Sequence, residues 1–145
     1  MKRNVKVVIS IIVVILAVTG IYFMHPINRY NSCRLKNAVS SIKEKEITLN
    51  EIVPFDWDTV YTFNPYTDKE TIEKAIGIKS NLIKEVKNET MVQLIFVKGE
   101  KIVLSVCSYP DKAGYNIVFK DSIKYSEKAV FNVDNSSGTT ILTRK

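Results

Sequence analysis

One histidine and two cysteines in 145 residues leave little from which to build a metal centre or a nucleophile with its base. The histidine, His25, stands beside Pro26, far in sequence from Cys107. The five glycines occur singly, so no glycine-rich loop can cradle a phosphate, and no cofactor is implied. Acidic residues are missing until Glu44, whereas 18 of the 21 Lys and Arg and all 15 acids fall in residues 27–145. That stretch therefore carries +3 of the formal +6, a charge suited to solubility and too small for a nucleic-acid footprint. Repeats and low-complexity tracts are absent as well.

What the chain does have is an uninterrupted apolar run. Met1–Lys6 holds three cations, and residues 7–24 follow without a charge. As a helix this run is about 27 Å long, close to the roughly 30 Å hydrocarbon thickness of a bilayer. The pattern predicts an N-terminal transmembrane signal anchor over residues 1–26, with residues 7–24 in membrane lipid. Cleavage after Val18-Thr19-Gly20 is the competing reading, but it would leave the apolar Ile21-Tyr22-Phe23-Met24 as a new terminus. Tyr22 and Phe23 fit better as interfacial aromatics. Cys33 lacks the small, apolar context of a lipidation site. The flanking cations favour a single-pass protein of the cell membrane, its N-terminus cytoplasmic and residues 27–145 outside.

Residues 27–145 suffice for one core. The expectation is an α+β domain with a mainly antiparallel sheet of five or six strands and two helices. Helical spacing of Leu35, Ala38, Val39 and Ile42 predicts a helix over 34–45. Thr67 and Glu70 form a capping-box pattern before Ile72, Ala75 and Ile76, and Gly77 ends that helix. Strands are predicted at 59–63, 91–97, 101–107, 115–119, 129–133 and 140–143. The second and third flank Gly99-Glu100, which suits a type II′ hairpin. Both are apolar on both faces and should lie centrally under a helix.

Few segments invite chemistry. Phe55-Asp56-Trp57-Asp58, with Tyr61 and Tyr66, gathers the only Trp with two carboxylates and two tyrosines, and forms the candidate binding surface (Asp56, Trp57, Asp58, Tyr61, Tyr66). In the functional reading, aromatic walls hold a ligand and the carboxylates serve as acid and base or as a cation site. The plainer and favoured reading makes Trp57 and Tyr61 core anchors and lets Asp56 and Asp58 fix turns. Ser40 and Lys43 match S-x-x-K, without the partner segments that acylating enzymes need. Lys120, Lys124 and Lys128 form a basic stripe only if helical, and are ordinary solvated lysines if extended. Cys33 and Cys107 are a candidate disulfide, although a buried free thiol is the plainer role for Cys107.

The run Pro54-Phe55-Asp56-Trp57-Asp58-Thr59-Val60-Tyr61, followed by Pro65-Tyr66-Thr67 and Ile76-Gly77, resembles a pattern in an uncharacterised group of small membrane-anchored proteins and lipoproteins of Gram-positive bacteria. The resemblance spans about 25 residues, implies an N-terminal anchor or lipoprotein signal, and carries no activity with it. Together these features predict a non-enzymatic extracytoplasmic binding module at the membrane, its partner an envelope protein or an anionic surface component. The alternatives are a small hydrolase-like or metal-assisted enzyme using Asp56 and Asp58, and an immunity or inhibitor protein.

Overall fold

The computed structural model describes residues 2–22 and 26–145, with side chains of the first helix at residues 7–17. Its organising element is the strand β3 (Val92–Lys98), buried at six of seven positions. Alternate side chains of a strand point to opposite faces, and here each face has its own core. Val92, Leu94 and Phe96 enter a large cluster with Leu35, Val39, Leu49, Trp57 and Phe131. Ile95 and Val97 enter a smaller one with Ile72 and Ile83. Two cores, one on each side, explain a strand that shows no polar alternation.

The chain runs through α1 (Lys2–Tyr22), α2 (Pro26–Ser40), β1 (Glu46–Thr48), α3 (Leu49–Ile52), β2 (Thr59–Tyr61) and α4 (Lys69–Ile76) before β3. After it come β4 (Lys101–Ser108), α5 (Pro110–Ala113), β5 (Tyr115–Val118), β6 (Ser122–Lys124), a 3₁₀ turn, β7 (Val130–Asp134) and β8 (Thr140–Arg144). The strands form two four-stranded sheets, β1-β7-β8-β5 and β4-β3-β2-β6. The α+β character is as expected, but one sheet of five or six strands becomes two, and the two helices expected after the N-terminal one become four among the described residues. One pairing, β5 with β8, is parallel.

The transmembrane expectation needs correction. Among the described residues no helix is long and apolar enough to cross a membrane. The signal anchor over 1–26, the lipid contact of 7–24, and the single-pass placement with an external domain are set aside on this finding. His25, and the end of the expected span at 23–24, lie outside the described residues.

Helix boundaries also shift for local reasons. α2 starts at Pro26 rather than Arg34, since proline is accommodated at a first helical position where no N–H is needed. For α4 the cap is Asp68, not Thr67: the Asp68 carboxylate accepts from the Thr71 N–H at 2.9 Å, and the Thr67 hydroxyl donates back to Asn64 O. Gly77 closes α4 at φ +77°, as its position suggested. Gly99 takes φ +56° in the two-residue hairpin between the paired Lys98 and Lys101. The helical lysine stripe is not formed, because Lys124 ends β6 and Lys128 sits in the left-handed region at φ +46°.

β4 is not central but an edge strand, and α2 lies against that edge. A bulge in the β3–β4 register leaves Val103 between the pairs Phe96–Leu104 and Val97–Ile102. Asn31, only 5 % exposed, donates its side-chain amide to Val103 O at 2.8 Å. Asn28 does more: its Oδ1 accepts the Ser105 N–H at 2.6 Å and its Nδ2 donates to Ser105 O at 3.3 Å. The Asn28 carboxamide thus serves both backbone groups of Ser105, as a neighbouring strand would.

Candidate functional site

The five residues singled out by sequence do not form one site. Asp56, Trp57 and Asp58 lie in the segment before β2 and line a cavity of about 440 Å³, closed by Asn50 of α3, Lys98 of the hairpin and Tyr125. Trp57 is 2 % exposed, in T-shaped contact with Phe96 at 5.6 Å and with Tyr125 at 5.2 Å. Phe55 adds a further edge contact to Phe96 at 5.4 Å. Such contacts between rings contribute about 0.5–1.5 kcal/mol each beyond the area they bury. Trp57 is therefore a core anchor that also walls a cavity.

Asp58 is a structural tether. One carboxylate oxygen receives the Lys98 ammonium at 2.7 Å and the other receives the Gly99 N–H at 2.7 Å. Its backbone N–H donates to Val97 O and its carbonyl accepts the Tyr125 N–H. The Lys98 hydrogen bond, then the Gly99 amide, hold its carboxyl below the usual carboxylate range, and Lys98 is pushed up by the same contact. A general acid needs the opposite shift. Asp56 lines the same cavity as an exposed carboxylate.

A pH dependence follows with a definite sign. Asp58 ionises more easily folded than unfolded, so its stabilising share is complete above the unfolded-state pKa of about 4 and disappears as pH falls through the lower folded value. Asp58→Asn should lower the melting temperature at pH 7, and the gap from the unsubstituted protein should narrow markedly by pH 2.5. Thermal melts followed by circular dichroism at both pH values measure that gap.

Two side-chain atoms at this cavity lack hydrogen bonds among the described residues. The Trp57 indole N–H and Asn50 Oδ1 are both buried and unpaired, while Asn50 Nδ2 donates to Tyr125 O at 2.8 Å. Each such orphan costs about 1–3 kcal/mol relative to a paired group.

Tyr61 lines a second depression of about 650 Å³, bounded by the end of β2, Asn64-Pro65, Glu89, and the link from β5 to β6 through Val118, Phe119 and Asp121; Tyr66 lines neither cavity. Tyr61 stacks on Phe63, ring centres 6.3 Å apart and 12° between planes. Tyr66 lies in the chain between lining residues Pro65 and Thr67, is 70 % exposed, and takes φ +67° with its N–H donating to Val86 O at 2.7 Å. Asp121 on the opposite wall is also left-handed, at φ +60°, and its carbonyl accepts the Thr62 N–H. Tyr66 and Asp121, residues other than glycine in this conformation, belong to two loops whose shapes are imposed by their surroundings.

No protein-family model, no curated protein and no solved structure matches this chain. The resemblance over residues 54–77 gains no support from these comparisons.

Cys33 and Cys107 are free thiols. The Asn28–Ser105 and Asn31–Val103 contacts run α2 antiparallel to β4, which carries Cys33 toward Lys101 and Cys107 the other way. Burial pushes the Cys107 thiol up, which makes it a poor nucleophile. No group of three or more His, Cys, Asp or Glu stands close enough to hold a metal ion among the described residues.

Asn50, Lys98 and Tyr125 at the first cavity, and Val118, Phe119 and Asp121 at the second, were not identified from sequence. Each arrives through pairing of distant segments, and only the local Asn50–Pro54 proximity to Trp57 offered a hint.

Proposed function

We infer that the protein is a non-enzymatic binding module, and that the depression lined by Tyr61 and Phe63, with the exposed Tyr66 next to its lining residues Pro65 and Thr67, takes an extended segment of a polypeptide partner. The observation that carries this reading is Tyr66. A tyrosine fixed in a left-handed conformation and 70 % exposed gains nothing for the core. Exposed, rigid tyrosines are among the residues that dominate protein interfaces. Val118, which lines the same depression, ends β5, the outer strand of its sheet. An edge strand offers backbone donors and acceptors to a partner strand, and aromatic pockets beside it supply specificity. The engagement of both Asp58 oxygens weighs against acid–base work by Asp56 and Asp58.

Site-directed photo-cross-linking tests this reading. A photoreactive phenylalanine at position 66 should give a defined adduct that is missing when the probe stands at Tyr109 or Tyr125, two other exposed tyrosines. The same adducts from all three positions, or none from position 66, would reject it. A second measurement separates binding from folding. Tyr66→Gly removes a left-handed strain of about 1–2 kcal/mol and should leave the melting temperature equal or higher while abolishing partner capture.

A further inference from the structure

β3 has strands on both sides along only part of its length. On one side β4 accompanies it from Val92 to Lys98. On the other side β2 ends at Tyr61, opposite Ile95. Thr62 then bonds elsewhere, its N–H donating to Asp121 O. Gln93 therefore has Cys107 of β4 beside it and no strand residue on the β2 side.

Two observations fix where the Gln93 backbone groups point. Ser105, opposite Ile95, has both its N–H and its carbonyl engaged by Asn28, away from β3. In an antiparallel ladder, a pair that exchanges no bonds turns its groups outward on both strands, so Ile95 faces β2. Val97 agrees, since its carbonyl accepts the Asp58 N–H from that side. The groups reverse side at each residue of a strand, so Gln93, two before Ile95, also faces the β2 side. There its N–H and carbonyl have no hydrogen-bond partner among the described residues, although Gln93 is only 4 % exposed. Backbone groups so placed are nearly always paired.

Across from them is another open edge. β5 ends its sheet, with β8 on one side only. Gln93 lines a cavity of about 420 Å³ together with Thr62 and with Asn116, Ile117 and Val118 of β5. Glu89 is its one charged lining residue. Thr62, Glu89 and Val118 also line the Tyr61 depression, so the two adjoin. A water or a hydroxyl answers open groups one at a time. An extended peptide answers two edges together, because its own backbone groups alternate between its two sides.

We propose that this cavity is a strand-insertion site. An extended segment of the polypeptide partner, carrying a cation for Glu89, continues the line of β2 beyond Tyr61. It exchanges backbone hydrogen bonds with Gln93 on one edge and with β5 on the other. The proposal rests on the polypeptide reading above, and adds that both edges of the segment are held, so that it joins the two sheets.

The probe is the capped peptide Thr-Val-Lys-Val-Thr-Val, titrated into the full chain labelled with nitrogen-15. Two further versions carry N-methyl groups on alternate residues, one on the odd set and one on the even, so that each has one edge stripped of donors. With the plain peptide, the amide resonances of Gln93 and of Asn116, Ile117 and Val118 should move together and saturate. Each methylated version should bind about tenfold more weakly, through the hydrogen bonds lost on its stripped edge.

Movement of the β5 amides alone, with one methylated version binding as well as the plain peptide, is simple addition at the β5 edge. That result overturns insertion and leaves the polypeptide reading standing. A Gln93 amide unmoved by the plain peptide also overturns insertion. Failure of the polypeptide reading shows separately, in the missing adduct at position 66.

Discussion

Phe96→Ala is expected to destabilise the protein by about 3–5 kcal/mol, the usual range for an aromatic ring deleted from a packed core. Phe96 is fully buried on the central strand β3, with Phe55 and Trp57 meeting it edge-on. The vacated space lies against the Phe55 and Trp57 rings of one segment, and Trp57 cannot move into it without leaving its contact with Tyr125. Folded proteins hold only about 5–15 kcal/mol in reserve, so this one change should leave much of the population unfolded near physiological temperature. Urea titration followed by Trp57 emission measures it, because the reporter sits against the altered site. A loss below about 1 kcal/mol would mean that Phe96 does not join the Trp57 segment to the core.

The second large effect concerns the edge of β4. Asn31→Ala strips the Val103 carbonyl of its donor at a site 5 % exposed, and Asn28→Ala strips both backbone groups of Ser105. Each unpaired buried group costs about 1–3 kcal/mol, so the double variant should lose several kcal/mol. Its failure should also look different from that of Phe96→Ala. With the asparagines gone, the outer backbone of β4 resembles a bare sheet edge, which invites pairing with a second chain. Light scattering below the melting temperature should rise with concentration for the double variant and stay flat for Phe96→Ala. Equal behaviour of the two would show that α2 does not guard the edge.

Local signals were legible in the sequence. Gly77 and Gly99 mark positive-φ stops, and the paired apolar runs around Gly99-Glu100 form the hairpin they suggested. Trp57 is the core anchor of the plainer reading, and it lines a cavity as well. What the sequence hid was long-range. Nothing in Glu46-Ile47-Thr48 names β7 as its partner, so the division into two sheets was out of reach. Asn28 and Asn31 read as ordinary polar helix residues, because their role exists only once a bulged strand lies beside them. The hydropathy of the leading segment pointed to a span, yet among the described residues no helix is long and apolar enough to cross a membrane. Asp56 and Asp58 looked equivalent by spacing, yet only Asp58 meets the hairpin amide and Lys98.

The β1–β7 ladder joins Glu46–Thr48 to Val130–Asn132. During synthesis, β1 leaves the ribosome long before the segment that completes it. At about 5–20 residues per second, the nascent chain spends roughly 4–17 seconds with that ladder unformed, and β8 must still slot between β7 and β5. The sheet β4-β3-β2-β6 waits less, since the last of its strands ends at residue 124. Translation speed thus sets an order of assembly, the half built on β3 first and the half built on β8 afterwards. Pauses late in the message would prolong the life of a half-formed chain far more than pauses early in it.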